Sequence, residues 1–138
     1  FVTSVMGQNE TLRVALDMTE EWDKATDGAS GLTMGCVVVR TEFAQQNKEA
    51  LDLFLDEYER SVQTVTSAEG LEHAAQLAEQ YNIVKAPVAR KAIPACNIVF
   101  VQGEQMQQIA GGFLEVLYQA NPKSVGEKLP DANFYYNR

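Results

Sequence analysis

The most reactive side chains in this sequence belong to one histidine and two cysteines, and their surroundings do not point to catalysis. His73 is the only histidine, and its neighbours on the predicted helix face are acidic and amide residues, which is typical of a solvated surface. Cys36 and Cys96 lack the close spacing of metal-binding or dithiol redox motifs. We therefore expect no catalytic residue, no metal and no cofactor.

Both cysteines lie in apolar segments that we predict to be strands. A free cysteine in such a segment behaves as a small buried hydrophobic residue, so the favoured interpretation is two unlinked, buried thiols. A disulfide between Cys36 and Cys96 stays open as an alternative if the compartment is oxidising.

Three consecutive residues, Thr33, Met34 and Gly35, combine groups that suit ligand binding. A hydroxyl, backbone N–H groups and a position without a side chain would let a small molecule approach closely. The alternative is a strand with a glycine bulge. Trp22 could stack on a planar ring, although a lone Trp is more often a packing residue. Asn97 could offer its amide to a ligand, and a turn or cap is the favoured alternative.

Length and charge limit the classes of function. The 138 residues suffice for one domain with a continuous apolar core. A net charge of −8 would repel phosphate backbones, so nucleic acid is not an expected partner. No apolar run is long enough to span a bilayer. The sequence begins at Phe1 rather than Met, which suggests that further residues preceded it.

The elements that would position these residues alternate between strand-like and helical patterns. Apolar and β-branched residues predict strands at 12–16, 32–40 and 97–101. Helical spacing predicts helices at 1–7, Lys48–Thr66, 70–81, 88–92 and Gly103–Ala120, the second capped by Asn47 and packed through Leu51, Leu55, Tyr58 and Val62. We therefore predict an α/β fold with a mixed sheet flanked by helices, and an aromatic C-terminal tail docked on it.

Four stretches resemble the C-terminal region of a group of substrate-binding proteins of ABC importers, the thiamine-pyrimidine, sulfonate and nitrate binders. These stretches are residues 1–3, 12–22, 34–43 and 93–136, and together they span nearly the whole chain. The most specific part is the ending, Asn121-Pro122-Lys123-Ser124-Val125-Gly126-Glu127-Lys128-Leu129-Pro130 followed by Phe134-Tyr135-Tyr136.

The resemblance implies a type II periplasmic-binding-protein fold, with two α/β lobes in a chain roughly twice this length. It assigns residues 1–31 to the end of the second lobe, 32–40 to the strand that crosses the hinge, and 41–138 to the first lobe. The ligand cleft would then take Phe1 and Thr3 in addition to the candidates above, and part of it would lie outside this chain.

The implied function is that of an extracytoplasmic solute-binding protein, not an enzyme. Its partners would be a small-molecule ligand and the ABC transporter permease, and a lipid anchor outside this chain would hold it at the membrane. Ligand would close the lobes by hinge motion, and the permease would recognise the closed form. Two alternatives are a pyrimidine-synthesising enzyme of the same fold family, which uses histidine and lysine with a pyridoxal cofactor, and a ligand-sensing domain.

Overall fold

The computed structural model describes residues 1–138 and contains helices but no β-sheet. Helical residues make up 62% of the chain. The seven α-helices are Val2–Gln8 (α1), Met18–Thr26 (α2), Thr41–Gln46 (α3), Lys48–Thr66 (α4), Leu71–Gln80 (α5), Ala86–Ala92 (α6) and Gly103–Ala120 (α7). Single 3-10 turns span Ile93–Ala95, Pro122–Val125 and Ala132–Phe134. None of the helices has both the length and the apolar character needed to cross a membrane.

The predicted α/β fold with a mixed sheet is wrong for this chain, because none of the three predicted strands has a hydrogen-bonded neighbour. Segments 12–16, 32–40 and 97–101 connect helices and form no ladder. A strand satisfies its backbone groups only beside another strand, and even an isolated pair of strands is marginal in water. The β-branched pattern therefore shows that a segment has strand propensity, but it does not show that a second strand is present to pair with it.

The predicted helices are confirmed. Both α4 and α7 begin and end at the predicted residues, and α5 differs from its prediction by one residue at each end. Helices α2 and α3 were not predicted. Helix α2 begins because the Asp17 carboxylate accepts hydrogen bonds from the N–H groups of Thr19 and Glu20, at 2.9 and 3.4 Å.

The residues form two compact units, each built from two stretches of the chain. Unit 1 contains residues 1–13 and 39–100, and unit 2 contains residues 14–38 and 101–138. The chain therefore passes between the units within each of the three segments predicted as strands. The type II periplasmic-binding-protein fold implied by the resemblance is contradicted as well, because its lobes are α/β and this chain has no strand, at 32–40 or elsewhere. The division at 1–31, 32–40 and 41–138 itself stays a prediction.

The core of unit 1 is small and lies among α4, α5 and α6. Its buried apolar residues are Leu51, Val62, Ala74, Ala75 and Ala89. Because α5 and α6 meet through alanines, their axes can approach closely, and α5 also packs on α4.

The predicted apolar stripe of α4 is only partly buried. Leu51 and Val62 are core residues, whereas Leu55 is half-buried and Tyr58 is exposed. The expected side-chain cap is also not formed. Asn47 precedes α4 as predicted, but its amide nitrogen donates to the carbonyl of Phe43 at 3.3 Å instead of its oxygen accepting from the first turn.

The turn between α4 and α5 is organised by Ser67. Its hydroxyl donates to the carbonyl of Thr64 at 2.9 Å and accepts from the N–H of Gly70, also at 2.9 Å. Its own carbonyl accepts from the N–H of Leu71 at 3.1 Å. A Cβ on Gly70 would collide with the Thr64 carbonyl, so this position has room only for glycine.

Two carboxylates of α5 hold α6. Glu72 accepts two hydrogen bonds from Arg90, at 2.6 and 2.8 Å, in the paired geometry that strengthens an arginine–carboxylate contact. Glu79 accepts from the N–H of Ala86 and from the amine of Lys85, both at 3.0 Å, and so satisfies a free donor at the start of α6.

In unit 2, α2 and the turn that follows it pack on α7. The ring of Trp22 lies 5.1 Å from the ring of Phe113, and its indole N–H donates to the carbonyl of Ser30 at 3.0 Å. The tail returns to the same helix, because the Tyr135 hydroxyl lies 3.6 Å from the position that a Cβ on Gly111 would take. The predicted docking of the aromatic tail therefore holds for Tyr135, whereas Phe134 is 64% exposed.

Replacing Leu51 by alanine should destabilise the protein by about 2–5 kcal/mol, because it removes buried methyl groups and leaves a cavity. Leu51 is 5% exposed, whereas Leu53 on the same helix is 60% exposed. Leu53→Ala is therefore the matched control and should change the free energy of unfolding by less than about 0.5 kcal/mol. Urea denaturation followed by circular dichroism measures both. Equal effects would show that Leu51 is not core.

Arg90→Gln should raise the pKa of the Glu72 carboxyl toward its usual value of 4.5. Hydrogen bonds from Arg90 are the main reason that this pKa is lowered, and a further hydrogen bond comes from Gln76. A carboxylate with a lowered pKa in the folded state contributes stability above its unfolded pKa and loses it as the pH falls through the folded pKa. The α5–α6 contact should therefore weaken in acid.

Carbon-detected NMR titration of the Glu72 carboxyl measures this change. Lys91→Gln removes an equal charge one residue away and is the control, expected to leave the titration midpoint in place. An unchanged midpoint in Arg90→Gln would contradict the assignment of the shift to this contact.

Candidate functional site

The candidate ligand site at Thr33, Met34 and Gly35 lies in unit 2, on the segment that precedes α3. Thr33 is half-buried, whereas Met34 is 98% exposed and Gly35 is exposed as well. Apart from Gly35 and its two chain neighbours, no residue has an atom within 4 Å of the position that a Cβ on Gly35 would occupy. A small molecule could therefore reach the backbone at Gly35 without displacing any side chain.

The backbone of this segment offers hydrogen-bonding groups that nothing in the chain uses. No hydrogen bond joins the N–H or C=O groups of residues 31–39 to another group. Their φ angles are all negative, and the segment contains no turn or bend. The three candidate residues thus present a half-buried hydroxyl, exposed amides and open space together, on a segment that is not the predicted strand.

The other candidates lie elsewhere. Phe1 is the exposed residue that precedes α1, and Thr3 is half-buried in the first turn of that helix. Asn97 follows the Ile93–Ala95 turn with a φ of 49°, in the left-handed region that asparagine tolerates well. This geometry fits the turn role that was the favoured alternative for Asn97. No hydrogen bond or ring contact joins Asn97 to Phe1 or Thr3, although all three belong to unit 1.

The side chain of Trp22 already packs against other residues of unit 2. Its ring is half-buried against Phe113 at an interplanar angle of 40°, and its N–H is bonded to Ser30. The turn is tied further by the Thr26 hydroxyl, which donates to the carbonyl of Trp22 at 2.9 Å. A ligand that stacked on the same face of the ring would have to displace Phe113.

Both cysteines are unlinked, as the favoured interpretation predicted, but they are exposed and not buried. The reason is the same one that removes the sheet. Burial of Cys36 and Cys96 depended on strands covering segments 32–40 and 97–101, and no strand covers them. No group of three or more histidine, cysteine or acidic side chains is placed to hold a metal ion.

Sequence reasoning missed two features of unit 2, a buried hydroxyl and a cavity. Ser30 is 8% exposed, and its buried hydroxyl has no hydrogen-bond partner. It lies against α7, 3.4 Å from the position of a Cβ on Gly112. A small open cavity of about 210 Å³ lies beside the tail, lined partly by Gln107, Asp131 and Tyr135. The paired glycines of α7 could have signalled this close approach, since two adjacent glycines in a helix need a packing reason.

Phe113→Leu should move the fluorescence emission of the protein to longer wavelength, because it opens the packed face of Trp22 to water. Trp22 is the only tryptophan, so the emission reports this site alone. Phe134→Leu is the matched control, since Phe134 is exposed and has no ring contact with Trp22. An identical spectrum for Phe113→Leu would show that the two rings do not pack in solution.

No family model, curated protein or solved structure matches this chain. The resemblance to substrate-binding proteins of ABC importers therefore rests on the residues quoted from the sequence.

Proposed function

We propose that this chain is a non-catalytic binding module of an extracytoplasmic solute-binding protein that serves an ABC importer. The observation that carries the proposal is the exposed and unbonded backbone at Thr33, Met34 and Gly35, with no protein atom near the Gly35 Cβ position. Amide groups and a hydroxyl without protein partners are the means by which a ligand pocket fixes a small polar molecule.

The groups at this site favour a ligand that accepts hydrogen bonds. Ring nitrogens, sulfonate oxygens and nitrate oxygens all accept from backbone N–H groups. The net charge of −8 adds long-range repulsion against anions. Among the ligand classes suggested by the resemblance, a neutral heterocycle such as a thiamine-precursor pyrimidine is therefore favoured over nitrate or a sulfonate.

An open segment of this kind would hold a ligand weakly by itself. Binding in a solute-binding protein becomes tight when polypeptide covers the ligand on several sides, because preorganised groups then surround it. The covered form would also be the one that a permease distinguishes from the empty form. We therefore assign recognition of the permease to the closed, ligand-bound protein.

The test is calorimetric titration and thermal denaturation with a panel of pyrimidines, sulfonates and nitrate. The chain of 138 residues should show little change in melting temperature. The full-length protein should bind one compound tightly, and a ligand at a hundred times its dissociation constant should add about 2.7 kcal/mol of stability.

The variant Gly35→Val tests directly whether this site contributes to ligand binding. The Cβ of a valine there meets no atom within 4 Å beyond its two chain neighbours, so folding should be unaffected. It would nevertheless fill the space that the ligand needs and should weaken binding by the full-length protein at least about tenfold, or about 1.4 kcal/mol. Gly7→Ala, at another open position, is the control.

Two results would overturn the proposal. If the full-length protein bound no compound of the panel, the proposed solute-binding role would be wrong. If Gly35→Val left binding unchanged, the assignment of the site to Thr33, Met34 and Gly35 would be wrong. Conversion of a bound pyrimidine into another compound would favour the enzyme alternative.

A further inference from the structure

We propose that the cavity between α7 and residues 129–135 of the tail binds a small primary amine in its ammonium form. The cavity has a volume of about 210 Å³, and all the residues that line it belong to unit 2. This inference goes beyond the proposed function and does not rest on it, because the cavity shares no residue with the candidate site at Thr33, Met34 and Gly35.

The three polar side chains that line the cavity have hydrogen-bonding capacity that the chain does not use. Asp131 accepts from the N–H of Asn133 at 2.9 Å with one carboxylate oxygen, and its second oxygen has no partner. The Tyr135 hydroxyl and the side-chain amide of Gln107 form no hydrogen bond. A carboxylate, a hydroxyl and an amide oxygen are therefore all available to a ligand in one cavity.

A protonated primary amine has the donors that match these three acceptors. Its ammonium group carries three N–H donors and no acceptor. A hydrogen bond from an ammonium to a carboxylate is charge-assisted and stronger than one between neutral groups. Asp131 is the only charged residue among those that line the cavity, and the net charge of −8 attracts cations over a longer range. An anion would be repelled at both distances.

The other lining residues fit a short hydrocarbon chain. They are glycine and three apolar residues, namely Gly111, Leu129, Pro130 and Ala132. A cavity holds one water molecule when about 10–15 Å³ is accessible to it, so about 210 Å³ has room for several nonhydrogen atoms. A pocket with apolar walls and a few polar groups is the usual form of a small-molecule site. The expected ligand is therefore an amine with a short alkyl chain.

The tail is attached to α7 before and after the helix residues that line the cavity. The Arg138 side chain donates through Nε to the Gln102 amide oxygen at 2.7 Å, next to the start of the helix. The Ser124 hydroxyl donates to the carbonyl of Leu117 at 3.4 Å, near its end. Both walls of the cavity are thus held in place without a ligand, which lowers the cost of ordering them on binding.

Titration of this chain with n-butylammonium chloride, followed by the amide signals in proton–nitrogen NMR spectra, tests the proposal. n-Butanol has the same carbon chain without the charge, and butyrate carries the opposite charge. We expect n-butylammonium to shift the amides of residues 107–111 and 129–135 in a saturable manner. It should bind at least about tenfold more tightly than n-butanol, and butyrate should not bind.

Asp131→Asn should weaken the binding of n-butylammonium at least about tenfold. The replacement removes the charge but keeps a side-chain oxygen that can accept from the N–H of Asn133. Asp17→Asn is the matched control and should leave binding unchanged. It alters the net charge by the same amount at another capping carboxylate of unit 2, which accepts from the N–H of Thr19 and does not line the cavity.

Three outcomes would each overturn the proposal: n-butanol that binds as tightly as n-butylammonium, Asp131→Asn and Asp17→Asn that bind equally well, or amide shifts that do not saturate in residues 107–111 and 129–135. The dispersion of the amide signals in each variant shows whether it is folded. None of these outcomes affects the site at Gly35, because Gly35→Val tests that site with different ligands.

Discussion

Backbone N–H and C=O groups need hydrogen-bond partners, and in this chain the helices supply nearly all of them. The segments 13–16, 31–39 and 98–101 have no backbone hydrogen bonds within the chain. These segments also contain the passages between the two units. The segments whose backbone groups lack hydrogen-bond partners are therefore the same segments that connect the two units.

The same constraint explains the small core. Unit 1 buries two large aliphatic side chains of α4 and three alanines, whereas many apolar residues of the connecting segments remain in contact with water. Burial of such residues is the dominant favourable contribution to folding, so leaving them exposed forgoes stability that a covering polypeptide could restore. The proposed ligand site at Thr33, Met34 and Gly35 lies in one of these connecting segments.

The helices could be predicted from the sequence because each one satisfies its own hydrogen bonds. The apolar spacing of α4 and α7 is a local signal, and Thr66 and Asn121 mark ends that need no distant partner. The strand prediction at 32–40 used an equally clear local signal and was wrong, since a strand depends on a segment elsewhere. The exposure of Cys36 could not be foreseen for the same reason. The exposure of Tyr58 depends on which parts of the chain pack on α4, and the spacing within the helix does not indicate this.

The ligand-binding role of Thr33, Met34 and Gly35 stays a prediction, and only the exposure of these residues is observed. The amides and the bare Gly35 were expected from residue types alone, and the structure has them open. The packing of Trp22 on Phe113 joins residues far apart in the sequence, and no local pattern indicated it. The buried hydroxyl of Ser30 likewise depends on how closely the turn after α2 approaches α7.

The turn at Ser67 limits how this sequence can diverge. Its hydroxyl accepts from the N–H of Gly70 and donates to the Thr64 carbonyl, in a space where any larger residue at Gly70 would collide. Related sequences should therefore vary freely on the exposed face of α4, at positions such as Leu53, while Gly70 stays invariant.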